Sequence, residues 1–179
     1  MTRPRPGKTR PPLDAARLNE LALTYVGRFA TSKSKLATYL HRKVRERGWA
    51  EETAADIEAL VMRLSDLGYV DDNAYALSKA RSLTGRGYGE RRVGQALMVA
   101  GISEDDGVEA RDLARAEALD SAIRFARRRR FGPFGDQTAD AAKRDRNIAA
   151  MIRAGHSFDL ARKIVHSEPG TEPEWDDYI

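Results

Sequence analysis

The chain has 179 residues and no cysteine, which excludes a disulfide framework and thiolate zinc sites. No apolar run approaches the roughly 20 residues needed to cross a bilayer. The first residues also lack the apolar centre of a secretory signal, so the expectation is a cytoplasmic protein without a membrane partner. Histidine is scarce, and His41, His156 and His166 share no metal-ligand spacing. No segment alternates apolar and polar residues with the period of two that a half-buried strand requires. No nucleophile stands in a recognisable pattern with a base, and the carboxylate pairs Asp71-Asp72 and Asp105-Asp106 are explained as helix caps. The absences together point to an all-α protein that is not an enzyme and carries no cofactor.

What is present is charge. Asp, Glu, Lys and Arg make up 32% of the chain, against 41% hydrophobic residues, and the formal net charge is +4. Small helical bundles suit that mixture better than one large globule, because small units have more surface per residue. The excess of base favours an anionic partner. Its distribution is uneven. Residues 1–13 hold Arg3, Arg5, Lys8 and Arg10 with four prolines, and read as a disordered basic arm. Residues 167–179 hold Glu168, Glu172, Glu174, Asp176 and Asp177 and read as an acidic disordered tail. Charge alone suggests that this tail folds back on the basic surface and competes there with an anionic partner.

Between the two ends the periodicity is helical. Leu18, Leu21, Tyr25 and Phe29 share one face of a first helix. Thr31 and Ser32 offer caps for a second, which turns Leu36, Tyr39, Leu40 and Val44 inward and stops at Gly48. A third is expected to have Glu51, Glu52 and Asp56 in its first turns, where carboxylates oppose the helix dipole, and a stripe of Ile57, Leu60, Val61, Leu64 and Leu67. Gly68 closes it. The next helix is capped by Asp71 and Asp72, buries Tyr75, Ala76 and Leu83, and breaks at Gly85, Gly87 and Gly89. A helix from about Glu90 to Ala100 follows, then a capping box pairing Ser103 with Asp106. Helical pattern continues to Arg130 with an unmarked break. Phe131-Gly132-Pro133-Phe134-Gly135 is a breaker. Helices from about Asp140 to Ala154, with Ile148, Met151 and Ile152, and then through Phe158, Leu160, Ile164 and Val165 complete the chain.

The stops at Gly48, Gly101 and Gly155 are 53 and 54 residues apart, each four residues after an apolar side chain: Val44, Leu97 and Met151. A fixed period argues for stacked copies of one supersecondary unit. The unit is a three-helix bundle, giving repeats at 14–70, 71–112 and 113–166 and about nine helices. The third copy is the least regular, with polar Asn147 in the place of Leu40 and Val93.

The run Leu67-Gly68-Tyr69-Val70-Asp71-Asp72, with Tyr75-Ala76, Lys79, Arg81 and Arg91-Arg92-Val93 after it, resembles the signature of the RecX recombination regulators. The triple repeat and the arginines before Phe131 are similar to that family too, over about residues 14–166. The resemblance implies an elongated, curved array of three-helix repeats that has no catalysis of its own. It also implies binding to DNA and to the RecA nucleoprotein filament, with inhibition of the recombinase's ATPase, strand exchange and coprotease activities. The expected state is a monomer.

Two basic groups are the candidate surface for DNA or filament. Lys79, Arg81, Arg86, Arg91 and Arg92 flank the glycine-rich turn, where N–H groups freed at Gly87 and Gly89 would receive a phosphate. Arg124, Arg127, Arg128, Arg129 and Arg130 form the densest cluster, extended by Lys143, Arg144 and Arg146. Such crowding is costly unless an anion neutralises it. The expected binding covers single- and double-stranded DNA without strong sequence preference, falling by roughly 0.7 to 0.9 log units per log unit of salt for each phosphate neutralised. Tyr88 and Phe131 are rings that either stack bases or pack in the core. The basic residues Arg42, Lys43, Arg45 and Arg47 read equally as a binding face or a solvated helix. Two rival classes remain: a helix-turn-helix transcription regulator, and a helical-repeat interaction scaffold whose basic patches are incidental.

Overall fold

The computed structural model describes residues 11–171; the basic arm up to Arg10 and the acidic tail from Glu172 lie outside the described residues. Among the described residues nine α-helices form: α1 (Ala15–Val26), α2 (Lys33–Arg47), α3 (Ile57–Asp66), α4 (Asp72–Gly85), α5 (Glu90–Val99), α6 (Val108–Ala116), α7 (Ala118–Arg129), α8 (Ala141–Arg153) and α9 (Phe158–His166). A 3-10 turn over Gly132–Phe134 separates α7 from α8. Among the described residues there is no strand, only an isolated parallel bridge between Leu13 and Trp49. None of the helices is long and apolar enough to cross a membrane. The fold is all-α, as the periodicity requires.

The chain divides after Asp72 into two compact units. The first closes α1, α2 and α3 around Leu13, Leu18, Leu36, Leu40, Ile57, Leu64 and Val70. Leu36 and Leu40 are wholly buried one turn apart on α2, and each such side chain contributes about 1.5–3 kcal/mol relative to exposure. Ser32 caps α2 by accepting the Lys35 N–H, and Asp56 caps α3 by accepting the Ala59 N–H. Asp72 is buried and accepts the Lys33 N–H at 2.8 Å, so a residue that opens α4 also satisfies a donor at the start of α2.

Several expectations fail here for local reasons. α1 ends at Val26, which leaves Phe29 beyond the helix and exposed. Leu67 is the C-cap of α3 rather than part of its buried stripe, and it too is exposed. Glu51 and Glu52 lie in a bend before α3, and the Glu51 carboxylate accepts the Ala15 N–H at 2.8 Å. Glu51 therefore caps α1 across 36 residues and does not begin α3. The Leu13 N–H bonds to the Gly48 carbonyl and the Ala50 N–H to that of Leu13, which pins the start of α1 to the turn after α2.

The second unit contains two cores. One joins α4, α5 and α6 through Ala76, Ala80, Val93, Leu97 and Ala114; the other joins α7, α8 and α9 through Phe125, Phe131, Met151, Leu160 and Ile164. Alanines make up much of the first, with Leu83, Val93, Leu97 and Ile102 as its larger side chains. Gly48, Gly101 and Gly155 all sit at positive φ, 82°, 68° and 99°, the left-handed stop that only glycine adopts without strain. The Ser103–Asp106 hydrogen bonds form, but they stabilise a turn, and α6 starts later at Val108. Glu117 marks the break between α6 and α7. Ile152 and Phe158 are exposed, contrary to their place in the expected apolar stripes.

Candidate nucleic-acid interface

The last turn of α7 carries Arg127, Arg128 and Arg129, all exposed. A helix C-terminus is where cations are best tolerated, at about 0.3–1 kcal/mol each. The helix then stops on Arg130, whose φ of 54° is positive without glycine. The Phe131 N–H reaches back to the Ala126 carbonyl and closes the end. Rings beneath the guanidiniums hold them in place. Arg127 lies 5.0 Å from the Phe134 ring centroid, and Arg128 and Arg129 lie 5.4 and 5.9 Å from that of Phe125. Cation–π contact fixes direction while leaving the charge uncompensated.

Folding brings the two basic groups together. The Arg128 guanidinium donates to the Arg86 carbonyl at 2.5 Å, and that of Arg124 reaches the Thr84 carbonyl at 3.5 Å. Arg86 itself stands over the Tyr88 ring, 5.3 Å from its centroid. Arg91 and Arg92 open α5 against the turn between α8 and α9, where the Arg91 N–H bonds to the Gly155 carbonyl. Lys143 and Arg144, at the start of α8, share a cavity wall with Arg129 and Arg130. Lys79 is half-buried and Arg81 exposed on α4; no hydrogen bond or ion pair joins either to the α7 arginines.

Among these side chains only Arg124, near Glu117 and Asp120, and Arg130, near Asp136, lie within ion-pair distance of a described carboxylate. The basic face of α2 differs. Arg42 and Lys43 both pair with Glu46, and Arg47 donates to the Pro11 carbonyl. The Lys43 hydrogen bond holds the Glu46 carboxyl below the usual range.

The glycine turn does not present the donors expected of it. The Gly87 N–H bonds to the Thr84 carbonyl at 2.8 Å and the Gly89 N–H to that of Ala154 at 2.9 Å. Neither N–H is left for a phosphate. Gly87 and Gly89 serve packing: a Cβ on Gly89 would stand 2.4 Å from the Gly155 oxygen, and one on Gly87 would stand 2.9 Å from the Phe125 nitrogen. His156 fastens the same turn. It is buried, and its Nε2–H donates to the Gly87 carbonyl at 3.1 Å while Nδ1 has no partner among the described residues. Burial pushes its pKa below the ordinary value, opposed by the Gly87 hydrogen bond.

Phe131 is buried edge-on against Phe125 and is a core residue rather than a stacking platform. Tyr88 is half-buried between the two cores of this unit. The reading of the residues alone left out the rings under the arginines. Phe125 stands three and four residues before Arg128 and Arg129, a spacing that places them on one helix face.

Comparison with known proteins agrees with the signature around Leu67–Asp72. No family model matches the chain. The regulatory protein RecX of Myxococcus xanthus is 38% identical over 165 residues, covering 85% of this chain and 86% of its own length. That of Agrobacterium fabrum is 30% identical over 138 residues, covering 75% and 73%. In fold the chain resembles the crystal structure of RecX from Lactobacillus salivarius, with a TM-score of 0.59 at 19% identity over 84% of this chain and 93% of that one. A second crystal structure of a regulatory protein RecX also gives 0.59, at 22% identity over 83% and 70%. These relatives are regulatory proteins rather than enzymes, and by sequence over most of its length the chain belongs to the RecX family.

Proposed function

We propose that this chain binds the RecA–DNA filament and inhibits recombinase ATPase, strand exchange and coprotease activity. The contact surface in this reading is the basic face of the second unit: Arg86, Arg91, Arg92, Arg124, Arg127, Arg128, Arg130, Lys143 and Arg144, with Lys79 and Arg81 on the adjoining helix. One observation carries it. Arginines from two sequence-distant segments are packed side by side, aimed by aromatic rings and backbone carbonyls, and most have no carboxylate partner. Self-repulsion of that kind is relieved by an external polyanion. Arginine suits it, since a guanidinium meets a phosphate or carboxylate through two parallel hydrogen bonds.

The same face serves bare single- and double-stranded DNA without strong sequence preference, because it is built to meet phosphates rather than base edges. The functional repeats in this reading are 14–70, 71–112 and 113–166, and the protein acts as a monomer.

The test is a RecA–single-stranded-DNA ATPase assay with added protein. Inhibition is expected well below the concentration at which the protein coats bare DNA, and the filament reading is lost if ATP hydrolysis is unchanged.

A further inference from the structure

A cavity of about 270 Å³ opens between the end of α7, the start of α8 and the last residues of α9. Its wall carries Arg129, Arg130, Lys143 and Arg144. The acids on that wall are Asp136, 3.4 Å from Arg130, and Glu168. Asn147 also lines it, at the position where the other two repeats bury Leu40 and Val93 completely. That exchange replaces an apolar wall by one that can hydrogen-bond an oxyanion.

The chain's own course completes the geometry. Residues 165–169 line the cavity, and the Gly170 N–H bonds to the Pro133 carbonyl at 3.0 Å, beside the 3-10 turn. The Thr171 hydroxyl turns back to the Glu168 carbonyl at 2.6 Å. Next in sequence come Glu172, Glu174, Asp176 and Asp177, with Trp175 among them. Four carboxylates thus follow directly from a point tied to the rim of a basic cavity. At up to about 3.5 Å per residue, Glu172 and Glu174 have roughly 4 to 11 Å of chain with which to reach its cations.

We infer that this cavity is the docking site of the chain's own acidic segment 172–177, which shields its cations from external polyanions. Tethering supplies the affinity that four carboxylates alone would lack, because a short linker holds its ligand at an effective concentration of order millimolar. Only the identity of the displaced competitor, DNA, rests on the function proposed above; the docking does not.

The test has two arms. In the first, amide NMR spectra of the full chain and of a chain ending at Thr171 are compared without DNA. Shifts are expected at 129–132 and 143–147, restored by adding a synthetic peptide of residues 172–177 to the shortened chain. They are expected to disappear in the tail variant E172Q/E174Q/D176N/D177N, which leaves the folded core untouched. Spectra that differ only beside the cut overturn the docking. In the second arm, labelled oligothymidylate is titrated against the same three proteins. The shortened and neutralised chains are expected to bind about tenfold more tightly, with the gap closing as salt rises. Equal affinity for all three overturns the shielding. Cavity shifts without oligonucleotide binding by any of the three would uphold the docking and remove the DNA reading instead.

Discussion

The guanidinium of Arg128 on α7 donates to the backbone carbonyl of Arg86, 42 residues away in the turn between α4 and α5, at 2.5 Å. One arginine thereby positions another, and two basic segments become one surface. If they act together on a shared anion, their effects on binding must not add. R86A and R128A are each expected to weaken oligonucleotide binding and to lower the salt slope by roughly 0.7. In the R128A background the further loss from R86A is expected to be smaller, with a coupling of at least about 0.5 kcal/mol. Anisotropy titrations of the four proteins at two salt concentrations measure this. Strict additivity would mean that the two arginines act independently.

His156 makes the second unit sensitive to acid. Its Nε2–H is committed to the Gly87 carbonyl, so a second proton must enter at Nδ1, which is buried without an acceptor. Its folded pKa is depressed by burial, below the ordinary 6.5. The unfolded chain therefore binds the proton more readily, and stability is complete above about pH 6.5 and lost as pH falls below it. Urea midpoints between pH 7.5 and 5 are expected to fall more steeply for the wild type than for H156Q, which keeps a donor towards Gly87 but does not titrate. Parallel curves would assign the acid sensitivity elsewhere.

Two glycines of neighbouring sequence should respond in opposite directions. Gly89 faces the Gly155 oxygen at a distance that admits no Cβ, so G89A is expected to cost about 1–3 kcal/mol through forced movement of packed backbone. Gly94 lies inside α5 with nothing within reach of an added Cβ. G94A is expected to stabilise by about 0.5–1 kcal/mol, by restricting the unfolded chain and favouring the helix. Chemical denaturation of both variants decides the matter.

Arg130 offers a separation of stability from binding. Its left-handed backbone costs about 1 kcal/mol in any residue with a Cβ. Its ion pair with Asp136 is exposed on both sides and returns little. R130G is expected to raise the unfolding free energy by about 1 kcal/mol, yet to weaken oligonucleotide binding. A variant that is both more stable and equally tight would remove Arg130 from the contact surface.

Much of this protein is written locally. Helix periodicity, the Ser32 cap, and the stops at Gly48, Gly101 and Gly155 each depend on a few adjacent residues, and for that reason they were legible in the chain. The signature from Leu67 to Asp72 was legible in the same way. Boundaries were less so. Phe29 and Leu67 continue the apolar period past the point where the backbone leaves the helix, because a repeat of 3.6 says nothing about where the hydrogen-bond ladder ends.

The candidate surface divides on the same principle. Sequence by itself determined that the second and third repeats are rich in arginine, since charge needs no partner to be counted. Only the tertiary structure decided which donors and cations remain for a ligand. The Gly89 N–H is consumed by a carbonyl 65 residues away at Ala154, whereas Arg127, Arg128 and Arg129 in the last turn of α7 are laid on rings with no described carboxylate in ion-pair distance. A hydrogen-bonding group is free or spent according to what packs against it, and that neighbour is set by the fold rather than by the adjacent residues.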